Sequence, residues 1–249
     1  MKQRFGVAFL LLGIASASWY LNTYDTQPAP PDEPTQSVDN RQDSDPNTEV
    51  NTQPGFDKGG FSTSDVASIW VVVNKRRPLN PQDYAPSDLV SVGGGQQLRT
   101  EAAAAFSRLA ADAKREGLSI SSISGYRSYS TQVRVYNNEV ATYGQAVADT
   151  QSARPGTSEH QTGLGIDVGG GGCTIEDCFA NTAEGKWIAA NGYKYGFLIR
   201  YPEEKQSVTG YRFEPWHLRY VGSELAMEMK LRSVVTLEEF FSLPAAPNY

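Results

Sequence analysis

The sequence predicts an α+β fold, a compact single domain with a mostly antiparallel sheet flanked by helices. A few stretches carry apolar residues at helical spacing, and several short runs alternate apolar and polar residues with the two-residue period of a strand. The two kinds of element do not alternate regularly, which argues against the crossover units of a doubly wound parallel sheet.

Taken in order, Ile69 to Val73 is an apolar, β-branched run that reads as a short buried strand or an extended segment packed on the domain. Residues 78–88, with three prolines and two aspartates, read as an irregular loop. Gly93-Gly94-Gly95 reads as a flexible turn, because it lacks the spacing and the Lys-Ser/Thr of a phosphate-binding loop. From Leu98 to Glu116 alanine is abundant, and Leu98, Ala102, Ala105, Phe106, Leu109 and Ala113 recur at helical spacing, with Gly117 placed to end the helix. Leu118 to Ser124 alternates as a strand and closes on Gly125-Tyr126-Arg127. A second helix is expected from a Ser130 cap to Tyr143, with Val133, Tyr136 and Val140 inward. Gly163 to Gly172 holds a Leu-x-Ile-x-Val strand that runs into four glycines. Residues 180–192 form a helix with Trp187 and Ile188 buried, and Phe197 to Tyr201 a strand stopped by Pro202. Tyr211–Phe213 and His217–Val221 are the last strand candidates, before a terminal helix from Ser223 to Arg232 and a tail. Arg200 and Arg219 are expected at the surface, with a substrate carboxylate as the alternative partner for one of them, and Trp187, Tyr193, Tyr195 and Phe197 in the core or a cleft wall.

The 249 residues suffice for one core with accessory segments. Lys2 and Arg4 form a basic head before an almost uncharged run from Phe5 to Leu21, so residues 1–21 are expected as a signal peptide or an N-terminal membrane anchor. Residues 22–60 carry eight acidic and two basic side chains and few large apolar ones, so they read as a disordered acidic linker rich in Pro, Asp and Gln. The net charge of −6 therefore belongs mostly to that segment, and residues 61–249 form a nearly neutral domain with no basic face for nucleic acid. No obligate protein partner is evident. These segments together place the chain outside the cytoplasm, at the cell envelope, either anchored or secreted.

Histidine occurs only twice, as His160 and His217. Asp167 sits between Ile166 and Val168 in a strand-like run, so its carboxylate faces away from theirs, and a buried carboxylate is costly unless a cation or hydrogen bonds compensate it. Glycines at 163 and 165 let the chain turn and bring His160 to the same point. Glu214-Pro215-Trp216-His217 puts a carboxylate three positions before an imidazole outside any helix interior. His160, Asp167 and His217 together offer two nitrogens and one oxygen, the three-ligand arrangement of a catalytic zinc with one open position. Glu214 is then placed as the general base and Arg127 opposite the negative charge of a tetrahedral intermediate. Neither a G-x-S-x-G elbow nor the ordered serine motifs of penicillin-recognising enzymes are present. Cys173 and Cys178, five positions apart, suit a local disulfide in an exported protein; a site built on the two thiolates would lack neighbouring Cys or His ligands.

Ser124-Gly125-Tyr126-Arg127-Ser128 with Gln132, then Ser158 through Asp167, then Glu214 through Tyr220 resemble the VanY type of D-alanyl-D-alanine carboxypeptidase, a family of zinc metallopeptidases. The resemblance runs from about Trp70 to Val221. It implies the D-Ala-D-Ala metallopeptidase fold, one zinc per domain on His160, Asp167 and His217, Glu214 as catalytic base, and Arg127 near the metal. It also implies Gln132 and Ser158 as substrate-binding residues and the peptidoglycan stem peptide as substrate, losing its terminal D-alanine. Endopeptidases and D,D-dipeptidases of the same family are alternatives, as is, from another class, a non-catalytic wall-binding module.

Overall fold

The structure, a computed structural model, describes residues 56–249. The segment expected as leader or anchor and nearly all of the expected linker lie outside those residues. Packing already includes Phe56, inside the stretch expected as linker, because its ring stacks on Trp70 at 5.5 Å and meets Phe240 edge-on at 5.7 Å. Among the described residues no helix is long and apolar enough to cross a membrane.

The glycine triplet turns a hairpin that the sequence did not reveal. β1 (Leu89–Gly93) pairs antiparallel with β2 (Gln96–Arg99), and Leu98, expected to open a helix, lies in β2. Helix α1 (Thr100–Arg115) follows at once and buries Ala102, Ala105, Phe106, Leu109 and Ala113, the face that its periodicity predicts. β3 (Ser121–Ser124) leads to α2 (Tyr129–Tyr143) and α3 (Gln145–Gln151), the latter unforeseen. Ser128, not Ser130, caps α2 by accepting from the Thr131 amide. Val133, Tyr136 and Val140 are only half-buried, and the buried residue of α2 is Gln132. The remaining elements are β4 (Gly165–Gly169), α4 (Ala183–Asn191), β5 (Phe197–Tyr201), α5 (Gln206–Thr209), β6 (Glu214–Tyr220), α6 (Ser223–Leu231) and α7 (Leu237–Phe240).

Four strands form the main sheet in the order β3-β4-β6-β5, every pairing antiparallel. Of the two strand candidates expected around 211–221, Tyr211–Phe213 forms no strand, and the second starts earlier, at Glu214, as β6, which admits Pro215 because β4 pairs only with its later residues 217–219. On one face of β4, Ile166 and Val168 join Leu218, Phe106, Leu109 and Ile188 in the principal core. Each wholly buried Leu, Ile or Phe there contributes about 1.5–3 kcal/mol through removal from water.

Ile69–Val73 forms no ladder; it is the extended alternative. Its side chains alternate between two cores, Val71 and Val73 in the first, Trp70 and Val72 in a second built with Leu225, Met229 and Phe240. Its carbonyls need other partners. Arg219 supplies them, donating from Nη2 to Ile69 O at 2.9 Å and Val71 O at 2.7 Å. Arg219 is thus wholly buried, as is Arg200, and the expectation that both lie at the surface is overturned.

Candidate metal centre

The antiparallel register places Asp167 of β4 directly opposite His217 of β6. Both side chains leave the sheet on the face away from the core, where the carboxylate Oδ1 lies 2.9 Å from His217 Nδ1. His160 arrives from a 3-10 turn, Glu159–Thr162, that ends on Gly163 in the left-handed region at φ 67°. A Cβ at 163 would also stand 3.0 Å from Arg99 Cγ and Leu89 Cδ2, so a larger residue would be both strained and crowded there. The turn brings His160 Nε2 to 3.2 Å from Asp167 Oδ2. All three side chains are buried.

The two imidazoles are held in opposite ways. His160 Nδ1 lies 2.8 Å from Gly125 O, which can only accept, so Nδ1 carries the proton and Nε2 faces the centre. His217 presents Nδ1 to the centre, and its Nε2 points to Glu159 Oε2 at 3.5 Å. Burial and the Arg127 charge push His160 down to about 4, which keeps it neutral. Burial opposes protonation of His217 as well, but its hydrogen bond to Asp167 and the nearby Glu159 carboxylate outweigh it and bring the ring up to about 9. Burial would raise Asp167 too, yet the neighbouring imidazoles hold it far below the ordinary carboxylate range.

This donor set fits zinc. One atom from each of His160, Asp167 and His217 lies within 4.8 Å of the others, and imidazole nitrogen with carboxylate oxygen are zinc donors. Hydrogen bonding to Gly125 O fixes His160 in the tautomer that a metal requires. The cluster has three members and so leaves a coordination position open.

Glu214, at the start of β6, stands outside the cluster with Oε2 4.0 Å from His217 Nδ1. Among the described residues no side chain hydrogen-bonds to it. Burial pushes its carboxyl up to about 8, against the pull of His217 and with added repulsion from Asp167. A dication on the three ligands would draw Glu214 back toward the ionised form. Arg127 is clamped on three sides: Nε donates to Ser124 Oγ at 3.1 Å, Nη1 to Gln132 Oε1 at 2.9 Å, and Nη2 lies 3.4 Å from Asp167 Oδ2. Gln132 is itself tied down, donating to Ala153 O at 2.7 Å. Ser158 is buried on the same wall.

These groups line a cavity of about 930 Å³. Its rim includes Ile175, Glu176 and Asp177, in the loop that the disulfide between Cys173 and Cys178 closes. Sequence reasoning missed Glu159, Tyr201 and Tyr211. Tyr201 lies with its ring 5.0 Å from that of His217, and Tyr211 packs behind it at 4.6 Å. Alternation along β5 would send Tyr201 to the core face with Phe197 and Ile199, and it is the register shift between Ile199 and Tyr201 that brings it to His217; nothing local marks Glu159.

Comparison with known proteins agrees with this geometry. A family model described as VanY, D-alanyl-D-alanine carboxypeptidase, matches residues 95–223. The chain is 43% identical to the putative carboxypeptidase YodJ of Bacillus subtilis (strain 168), over 70% of this chain and 67% of that one. It is 35% identical to a D-alanyl-D-alanine carboxypeptidase of Enterococcus faecium, over 68% of this chain and 56% of that one. Among solved structures, the LdcB LD-carboxypeptidase matches with a TM-score of 0.66 and 42% identity, covering 71% of this chain and 87% of the other. VanYB in complex with D-alanine-D-alanine matches with a TM-score of 0.61 and 31% identity, covering 69% and 96%. A family match over more than half the residues, on a fold that assembles a His-Asp-His centre, leads to one conclusion: the chain belongs to the VanY family of D-alanyl-D-alanine carboxypeptidases.

Proposed function

We propose that this chain removes the terminal D-alanine from peptidoglycan stem peptides by zinc-dependent hydrolysis at the cell envelope. The observation that carries the reading is Glu214, a buried carboxylate beside a three-ligand cluster yet not one of its members. A site that only bound metal or peptide would have no use for it. Zinc, when bound, polarises the substrate carbonyl and lowers the pKa of a coordinated water. Glu214 takes the proton from the attacking water and returns it to the leaving amine. Arg127, held by Ser124 and Gln132, presents a fixed positive charge to the oxyanion as it develops. Ser158 and Gln132, which line the cavity, serve as donors for the peptide end in this reading.

The 42% identity to an LD-carboxypeptidase favours a second reading with the same chemistry, in which the residue before the terminal D-alanine is L-configured at the scissile bond. Time-resolved mass spectrometry of the zinc-loaded full chain separates the two. Loss of one alanine from a pentapeptide ending in D-Ala-D-Ala supports the first reading. Loss from the tetrapeptide alone supports the second, and an internal cut contradicts both.

A further inference from the structure

Beneath the metal ligands lies a buried charged network that the reaction itself does not use. Glu159 precedes His160 on the 3-10 turn and is wholly enclosed. Its Oε1 accepts from Arg200 Nε and from Arg219 Nη1, each at 2.7 Å. Its Oε2 has no hydrogen-bond partner, and neither has His217 Nε2, yet the two point at one another across 3.5 Å. An unpaired buried donor and an unpaired buried acceptor are each costly to leave unsatisfied. Two such atoms facing each other become satisfied together if His217 Nε2 carries the proton and the ring moves by a few tenths of an ångström.

We propose that Glu159 is the positioning residue of the metal centre, accepting from His217 Nε2–H so that Nδ1 is left as the ligand nitrogen. The inference rests on the zinc reading of the His-Asp-His cluster. Glu159 is not free to turn away, because two guanidiniums fix its other oxygen. Arg200 is fixed in turn by Glu238 of α7, donating from Nη1 at 3.0 Å and Nη2 at 2.7 Å, and Asn74 donates to the same carboxylate at 2.9 Å. Arg219 is fixed by the carbonyls of Ile69 and Val71. Two arginines against two glutamates leave the network neutral, so its burial does not require a further counter-ion. The orientation of one metal ligand is thereby built from α7 and the Ile69–Val73 segment, both remote in sequence from the motifs.

The test compares zinc affinity of the full chain and its Glu159→Gln variant by competition with a chelator, with circular dichroism of the metal-free proteins as the check on folding. Carboxylate partners of ligating histidines are worth 10–100-fold in metal affinity. A loss of about tenfold or more in a folded variant is expected, and a smaller one overturns the proposal. If the variant does not fold, long-range proton–nitrogen NMR of the zinc-loaded wild type decides, since only two histidines contribute signals. One Nδ1–H and one Nε2–H tautomer, the latter on His217, are expected; a His217 without the Nε2 proton overturns the proposal. Failure of the wild type to take up zinc at all would instead overturn the zinc reading on which this one stands.

Discussion

Asp167 and His217 are Cα partners across the β4–β6 ladder, and their side-chain atoms meet at 2.9 Å on the sheet face that the core leaves free. Register therefore does the work that an i, i+4 helix face does in other zinc sites. A slip of one residue in either strand would turn that strand's ligand toward the core and separate the pair.

Replacing Glu214 by Gln keeps the size of the side chain and removes the base. Turnover should fall by about 10²–10⁴-fold while one zinc remains bound. His217→Ala should lose both metal and turnover. Metal content by atomic emission, measured with activity on the same samples, separates the two outcomes; full activity in Glu214→Gln would remove its place as base.

Arg127→Ala should reduce kcat by about 10²–10³-fold, the typical cost of removing an oxyanion donor. Arg127→Lys should recover little, because Lys cannot make the forked contacts with Ser124 and Gln132. Steady-state kinetics check this, and a change confined to KM would contradict it.

Gly125 lends its carbonyl to His160 Nδ1 and packs against β2 so closely that a Cβ would lie 2.4 Å from Gln97 O. Gly125→Ala should cost about 1–3 kcal/mol of stability by overpacking. It should also weaken zinc binding, since backbone movement pulls the carbonyl from the ligand. Thermal melts with and without zinc measure both effects.

Burial alone would raise the Glu238 carboxyl, but the Arg200 charge and the hydrogen bonds from Arg200 and Asn74 bring it below its ordinary 4.5. A group depressed on folding contributes stability above its unfolded pKa and loses it as pH falls through the folded value. Metal-free protein should therefore lose stability on acidification below about 4.5, and Glu238→Gln should be less stable at neutral pH but show a shallower acid slope. Denaturant melts between pH 3 and about pH 7 test this; parallel slopes would contradict it.

The metal ligands were legible because their signals are local. Histidine is rare in the chain, Asp167 interrupts an apolar alternation, and Gly163 marks the turn that returns His160 to it. Glu159, Arg200 and Arg219 were not, since an isolated arginine or glutamate reads as surface and its burial is decided by partners as far as 150 residues away. The β1–β2 hairpin escaped for a different reason: β1 is largely exposed, so it has no apolar alternation to betray it. In α2 the apolar positions suggested an inward face, but the helix lies over the cavity and buries Gln132, whose task is to hold Arg127.

The most direct measurement strips the full chain with a chelator and follows alanine release from a stem pentapeptide as zinc is titrated back. Release should be abolished on stripping and restored in proportion to zinc up to one equivalent. Release that survives complete removal of metal, or that never returns at one bound zinc, would contradict zinc-dependent hydrolysis at His160, Asp167 and His217.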